Sequence, residues 1–305
     1  MKASPMKLRP HISETVWGGE RLIHGYGIDP RGHANAAEAW VLSGHPRGAS
    51  TVETGPFAGW TLARLFAERP GLFGSRCTDK PAFPVIVKLI DAREDLSVQV
   101  HPRDGDPALL PGEAGKTECW YILEAPPGAK LHLGLREAVT PARFAAAIAD
   151  GTVMDLVASI DVKPGDFYFI PAGTLHAIGA GVLLAEVQQN SDTTYRVFDY
   201  NRLQNGKPRE LHVEQALAVT DLRPYAPPPQ PQGLLCACEW FTVKTCGAFS
   251  GAAGADSFVH LLILEAKEGA KLNEMPAAKG DSVFIPANAG KFELTGDVKV
   301  LVTAL

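Results

Sequence analysis

The sequence predicts a mainly β fold carrying helical insertions, followed by a smaller β unit built on a related plan. Three observations predict it. Short apolar runs bounded by turn residues recur along the 305 residues, which include 30 glycines and 24 prolines. One turn-and-strand pattern occurs twice, as Lys163–Ala172 (KPGDFYFIPA) and Lys279–Ala287 (KGDSVFIPA), as in a duplicated β-barrel. Between the copies lies Pro224–Gln232, PYAPPPQPQ, whose prolines cannot donate to a ladder and favour an extended spacer.

Taken in chain order, Trp60–Glu68 reads as a helix, because Leu62, Leu65 and Phe66 share one face. Phe83–Ile90 and Cys119–Leu123 read as strands. Thr140–Ile160 reads as helical: Thr140 can cap, Pro141 fits the first helical position, and Gly151 divides the stretch into two short helices. Phe167–Ile170, Val182–Val187, Phe258–Leu264 and Val298–Thr303 complete the predicted strands. The expected organisation is a larger domain over residues 1–223, a linker over 224–232 and a C-terminal β domain over 233–305. After the first copy of the repeat comes Gly173-Thr-Leu-His176, and after the second Asn288-Ala-Gly-Lys291. If the copy with His176 builds a site, the other has lost it.

Charge excludes some functions. Lys and Arg number 29 against 34 Asp and Glu, a formal net of −5, which argues against a general nucleic-acid binder. A local basic cluster for one small anion remains compatible with it. No stretch approaches the ~20 apolar residues of a membrane helix, and Met1–Pro10 lacks the apolar core of a secretory signal. The five cysteines, Cys77, Cys119, Cys236, Cys238 and Cys246, are odd in number and form no C-x-x-C, so reduced thiols in a cytoplasm are expected. Cys236, Cys238 and Cys246 read as small residues of a strand rather than a metal cluster.

The densest chemistry is Ser97-Val-Gln-Val-His-Pro102. Gln99 and His101 alternate on a strand and share one face, with Val98 and Val100 on the other. A polar pair facing inward is costly unless something binds it. Glu118 opens a later apolar run, and His176 follows the turn Pro171-Ala-Gly-Thr-Leu. One amide oxygen, two imidazoles and one carboxylate suit Zn²⁺, with room for a water or substrate oxygen.

The spacing Gly165-x5-Pro171-x-Gly173-x2-His176 resembles the second motif of the cupins, with Ala180 where that motif usually ends in Asn. Gln99 stands where the first motif normally has a histidine. These departures are the ones made by class I mannose-6-phosphate isomerases, which the chain resembles from residue 8 to about 200. The matching segments include VWGGERL before residue 23, Glu38-Ala-Trp-Val-Leu-Ser-Gly-His-Pro46, LSVQVHP ending at Pro102, GKTECWY (115–121), FIPAGTLH (169–176) and EVQQNSDTTYRVFDY (186–200). Ala37 stands where a glycine is expected before Glu38.

The resemblance implies a jelly-roll cupin with a degenerate second cupin, and Gln99, His101, Glu118 and His176 as ligands of one zinc ion per chain. It also implies a small sugar phosphate as substrate, in the interconversion of mannose 6-phosphate and fructose 6-phosphate. Arg196 matches the family's functional arginine, the alternative being a surface salt bridge. Glu186 matches a proposed base, the alternative being a residue that orients a zinc ligand. Lys116 is the better placed of two lysines that could act on the sugar or its phosphate, the other being Lys88 in VIVKLID. Three rivals remain at this point: an isomerase for another sugar, an iron cupin oxygenase, and a non-catalytic sugar-binding cupin. The oxygenase fits less well, since Gln99 would weaken an iron site.

Overall fold

The computed structural model describes residues 4–109, 112–204 and 206–305, so the Met1–Pro10 stretch is described only from its fourth residue. Its strands pair antiparallel throughout. Each predicted strand forms, Phe167–Ile170 at its predicted bounds and the others with ends moved by a residue or two: Val85–Asp91, Glu118–Glu124, Leu183–Gln189, Val259–Ala266 and Val298–Ala304.

Among the described residues these strands stack as facing sheets. A five-stranded sheet (195–198, 98–100, 176–178, 130–135, 157–161) faces a six-stranded sheet (167–170, 118–124, 183–189, 85–91, 38–42, 11–13). Trp120, Ile122, Leu184 and Ile90 of the second pack against Leu131, Leu133 and Ile178 of the first. The other face of the six-stranded sheet, with Val85, Val87, Leu89, Ala185 and Val187, packs on Leu262, Leu264, Phe284 and Leu301 of a seven-stranded sheet. The far side of that sheet, with Leu261, Ile263, Val283 and Val300, meets Leu272, Phe292 and Leu294 of a four-stranded sheet. The molecule is therefore two sandwiches set back to back. This explains why Val85–Asp91 and Leu183–Gln189 are buried at every position: a sheet covered on both faces has no solvent side to alternate toward. Each large aliphatic so buried is worth roughly 1.5–3 kcal/mol.

Helices close the outer face of the five-stranded sheet. Phe144, Ile148, Ala216 and Val219 cover Val98, Val100 and Val197. The helix Leu62–Glu68 is capped by Thr61, and Pro141–Ala149 by Thr140 with Pro141 in its first turn. The expected second half of the latter does not form. Gly151 takes φ 77°, Val153–Asp155 is a single 3₁₀ turn, and Val157–Asp161 becomes an edge strand against Lys130–Leu135. Ala and Ser between Val157 and Ile160 suit either state, and pairing with the neighbouring strand decides for β.

The repeat is structural. Gly165 N–H donates to Ile122 O and Ile122 N–H to Asp166 O, while Gly280 donates to Ile263 O and Ile263 to Asp281 O. Gly165 and Gly280 both hold positive φ, 94° and 90°, a region open to glycine at no steric cost. Superposing the two patterns sets Val259 at the place of Glu118, Leu261 at that of Trp120 and Lys291 at that of His176. Glu118 and Trp120 are thus replaced by aliphatic residues in the second copy, and His176 by the exposed Lys291.

The division at 224–232 remains a proposal about folding units. Met6–Arg9 is a strand of the seven-stranded sheet, Met6 opposite Phe284, so that sheet draws on both ends of the chain. The proline-rich stretch lies along the edge strand Phe167–Ile170. Tyr225 OH donates to Phe169 O, and the Gln230 amide accepts from Phe167 N–H at 2.6 Å and donates to Phe167 O at 3.0 Å. It thus covers an edge that would otherwise offer unpaired backbone groups.

Candidate metal centre and adjoining cleft

The two sheets of the first sandwich bring the predicted donors together. Val98 and Val100 turn outward to the helices, leaving Gln99 inward, and His176 lies opposite Gln99 in the ladder. Glu118 opens a strand of the facing sheet. His101 Nε2 is 3.5 Å from Glu118 Oε2, and His176 Nε2 is 3.5 Å from Glu118 Oε1. One ligand atom from each of these three buried residues lies within 4.8 Å of the others. The Gln99 amide is 3.4 Å from His176 Nε2, and a flip of that amide presents either its oxygen or its nitrogen.

The tautomers are set from behind. His101 Nδ1 donates to Thr193 O and His176 Nδ1 to Thr174 O, both at 2.9 Å. A carbonyl only accepts, so Nδ1 carries the hydrogen and Nε2 faces inward as an acceptor, which on His101 takes a hydrogen bond from Lys116 Nζ at 3.1 Å. Burial keeps both rings neutral, lowering His176 to about 4 and His101 well below its ordinary range. Burial, with Glu186 nearby, pushes Glu118 up to about 7 against the pull of Lys116. Neither Glu118 oxygen makes a well-angled hydrogen bond among the described residues, although Lys116 Nζ stands 2.7 Å from Oε2. Burying a carboxylate costs several kcal/mol, and the Lys116 ammonium at 2.7 Å offsets part of that cost. A cation-seeking set of two imidazoles, a carboxylate and an amide oxygen fits zinc.

Beside this set opens a cleft of about 500 Å³, lined among others by Lys88, Gln99, Lys116, Glu186, Arg196 and Arg209. Glu186 Oε2 accepts from Trp120 Nε1 at 2.8 Å. Its Oε1 lies 3.6 Å from Lys88 Nζ and 4.0 Å from Lys116 Nζ. Burial raises the Glu186 pKa, but the two ammoniums outweigh it and the carboxyl stays ionised. Burial likewise opposes charge on Lys88, and Glu38 (3.3 Å) and Glu186 reverse the effect. Lys88 also sits 4.4 Å over the Trp40 ring.

Arg196 is opposite Gln99 in the ladder. Its Nε reaches Ser97 Oγ at 3.3 Å and its Nη1 donates to Glu210 O at 2.9 Å, so it is built into the wall of the cleft. His212 backs it by accepting from Arg196 N–H at 3.1 Å. Asp104 and Asp106 serve the loop: Asp104 accepts from Gly115 N–H and the Gln189 amide, Asp106 from Arg103 N–H.

Sequence reasoning did not single out Glu38, Trp120 or Arg209. Glu38 lay inside a quoted matching segment but carried no assigned role. Arg209 follows the paired strands Leu203–Gln204 and Lys207–Pro208 and is held by Asp199. The five cysteines are free thiols; Cys236 and Cys246 lie in strands and Cys238 just after one.

Residues 6–120 match the family model for the catalytic domain of type I phosphomannose isomerase. A mannose-6-phosphate isomerase of Bacillus subtilis (strain 168) is 36% identical over 100% of each chain. The crystal structure of mannose 6-phosphate isomerase from Bacillus subtilis superposes with a TM-score of 0.87 at 35% identity, covering 98% of this chain and 99% of that one. A zinc-bound mannose 6-phosphate isomerase, 17% identical, shares the fold at a TM-score of 0.78 over 99% of both chains.

Proposed function

Because the chain belongs to the type I phosphomannose isomerase family, we infer that its cleft interconverts mannose 6-phosphate and fructose 6-phosphate with one zinc ion held by Gln99, His101, Glu118 and His176. The observation that carries this reading is the pair of inward-facing Nε2 atoms on a buried carboxylate at the edge of a polar cleft. Zinc bound there supplies Lewis acidity toward the sugar's carbonyl and hydroxyl oxygens.

The remaining work falls to this chain's own groups. Isomerisation moves a proton between C2 and C1 and passes through an anionic enediolate. Glu186 is the base: it lines the cleft, its carboxyl is ionised, and its Oε1 is not engaged by the Trp120 bond. Lys116 and Arg196 supply positive charge where the enediolate develops it. Lys88 pins Glu186 from the other side and offers its remaining N–H groups to a sugar hydroxyl. Arg196, at the wall of the same cleft, is also the candidate holder of the phosphate. No described helix is long and apolar enough to cross a membrane. A cytoplasmic location, with neither nucleic acid nor membrane as partner, belongs to the same proposal and rests on the sugar-phosphate substrate and the free thiols.

Turnover on a panel of hexose 6-phosphates and free hexoses tests the reading. Conversion of mannose 6-phosphate is the expected result. A zinc-loaded protein that binds sugars and converts none would leave a binding cupin. Elemental analysis should find one zinc per chain, and a second stoichiometric metal traced to residues after Gln232 would contradict the decay of the second copy. Arg196→Ala should keep its zinc and lose about 10²-fold in kcat, the scale for removing one donor to a developing anion. A loss confined to KM would instead mark Arg196 as the phosphate holder, and unchanged kinetics would leave it a structural residue of the wall.

A further inference from the structure

We propose that Trp120 is a positioning residue, whose indole N–H fixes which oxygen of Glu186 faces the sugar. The inference rests on the reading of Glu186 as the base. Trp120 is wholly buried, two residues from Glu118 on the same strand face, and lies directly opposite Glu186 in the ladder. Strand pairing therefore builds the contact, with indole Nε1 donating to Glu186 Oε2 at 2.8 Å. The same ring meets His176 edge-on, centroids 5.3 Å apart at 80°. One side chain thus touches a zinc-ligand candidate through its ring and the base through its N–H.

The indole nitrogen is a donor only. It can bond Oε2 as long as that oxygen accepts, and a proton placed on Oε2 would compete with it. A proton taken from carbon is thereby directed to Oε1, which makes no hydrogen bond among the described residues. A donor-free ring at position 120 would let the carboxylate turn either oxygen toward Lys88 or Lys116. Trp120 also fills the core between the two sheets, and packing alone is the competing explanation for its burial.

A double-mutant cycle separates the two. Trp120→Phe keeps a ring against His176 and removes the N–H. Its kcat should fall about 10-fold with KM and zinc content near wild type, since sub-ångström misplacement of a reacting group is costly. In the Glu186→Gln background, where no base remains to be aimed, Trp120→Phe should add no further loss. Equal losses in both backgrounds, or wild-type kcat for Trp120→Phe, would overturn the proposal while leaving Glu186 as base. Wild-type proton exchange in Glu186→Gln alone would overturn both, and the single variant identifies that case. Should the phenylalanine variant not fold, benzothienylalanine at position 120 keeps the indole shape with sulfur in place of N–H. It should show the same loss, and full activity there would overturn the proposal.

Discussion

His176→Ala should lose zinc and isomerase activity together. The substitution removes an inward-facing Nε2 that is locked in place by Thr174 O, and leaves Glu118 Oε1 and the Gln99 amide without their shared neighbour. Three of the four proposed donors would remain. The loss of affinity should exceed the ~10–100-fold that follows removal of an outer hydrogen-bond partner, enough to strip zinc during purification. His101→Ala should behave alike, because Thr193 O orients its ring in the same manner. Elemental analysis beside an activity assay decides the matter. Full zinc in both variants would end the ligand assignment, whatever the activity.

Glu186→Gln should keep its zinc and lose exchange of the C2 proton with solvent by about 10²–10⁴-fold. Glutamine preserves length and can still accept from Trp120 through its amide oxygen, so the geometry on that side survives. What it cannot do is take a proton. The hydrogen bond of Glu186 goes to Trp120 and its ion pairs to Lys88 and Lys116, none of them a predicted ligand. Zinc affinity should therefore hold. The measurement is deuterium incorporation at C2 in heavy water, run beside a zinc titration. A fall of ~10–100-fold in zinc affinity would recast Glu186 as a residue that orients the metal site, and wild-type exchange with full zinc would remove it from the mechanism.

The elements that could be read from the sequence were those whose cause is local. Thr140 and Pro141 start a helix by their own chemistry, and the repeat KPGDFYFIPA/KGDSVFIPA carries its turn with it. Gln99 and His101 stood out as polar residues alternating in an apolar strand and Lys88 as a lysine flanked by apolar residues, while Glu186 was marked only by the family resemblance. The rest depends on what lies across the sheet. Val157–Asp161 is a strand because Lys130–Leu135 pairs with it. The role of Trp120 depends on register: a one-residue slip would turn its indole away from Glu186. The burial of Val85–Asp91 on both faces requires the second sandwich, and a lone apolar run does not distinguish that setting from an ordinary half-buried strand.

The placement of Met6–Arg9 between Ser282–Ile285 and Thr51–Val52 binds folding to the clock of synthesis. The first strand leaves the ribosome long before its partner at the far end of the chain exists. The strands Val85–Asp91 and Leu183–Gln189 wait as well, their Val85, Val87 and Val187 face uncovered until Leu262, Leu264 and Phe284 arrive. At roughly 5–20 residues per second, the delay between Gln189 and Ile285 is roughly 5–20 s. During that interval the nascent chain shows a broad valine-rich face to the cell, a surface for chaperones to hold and for other nascent chains to misjoin.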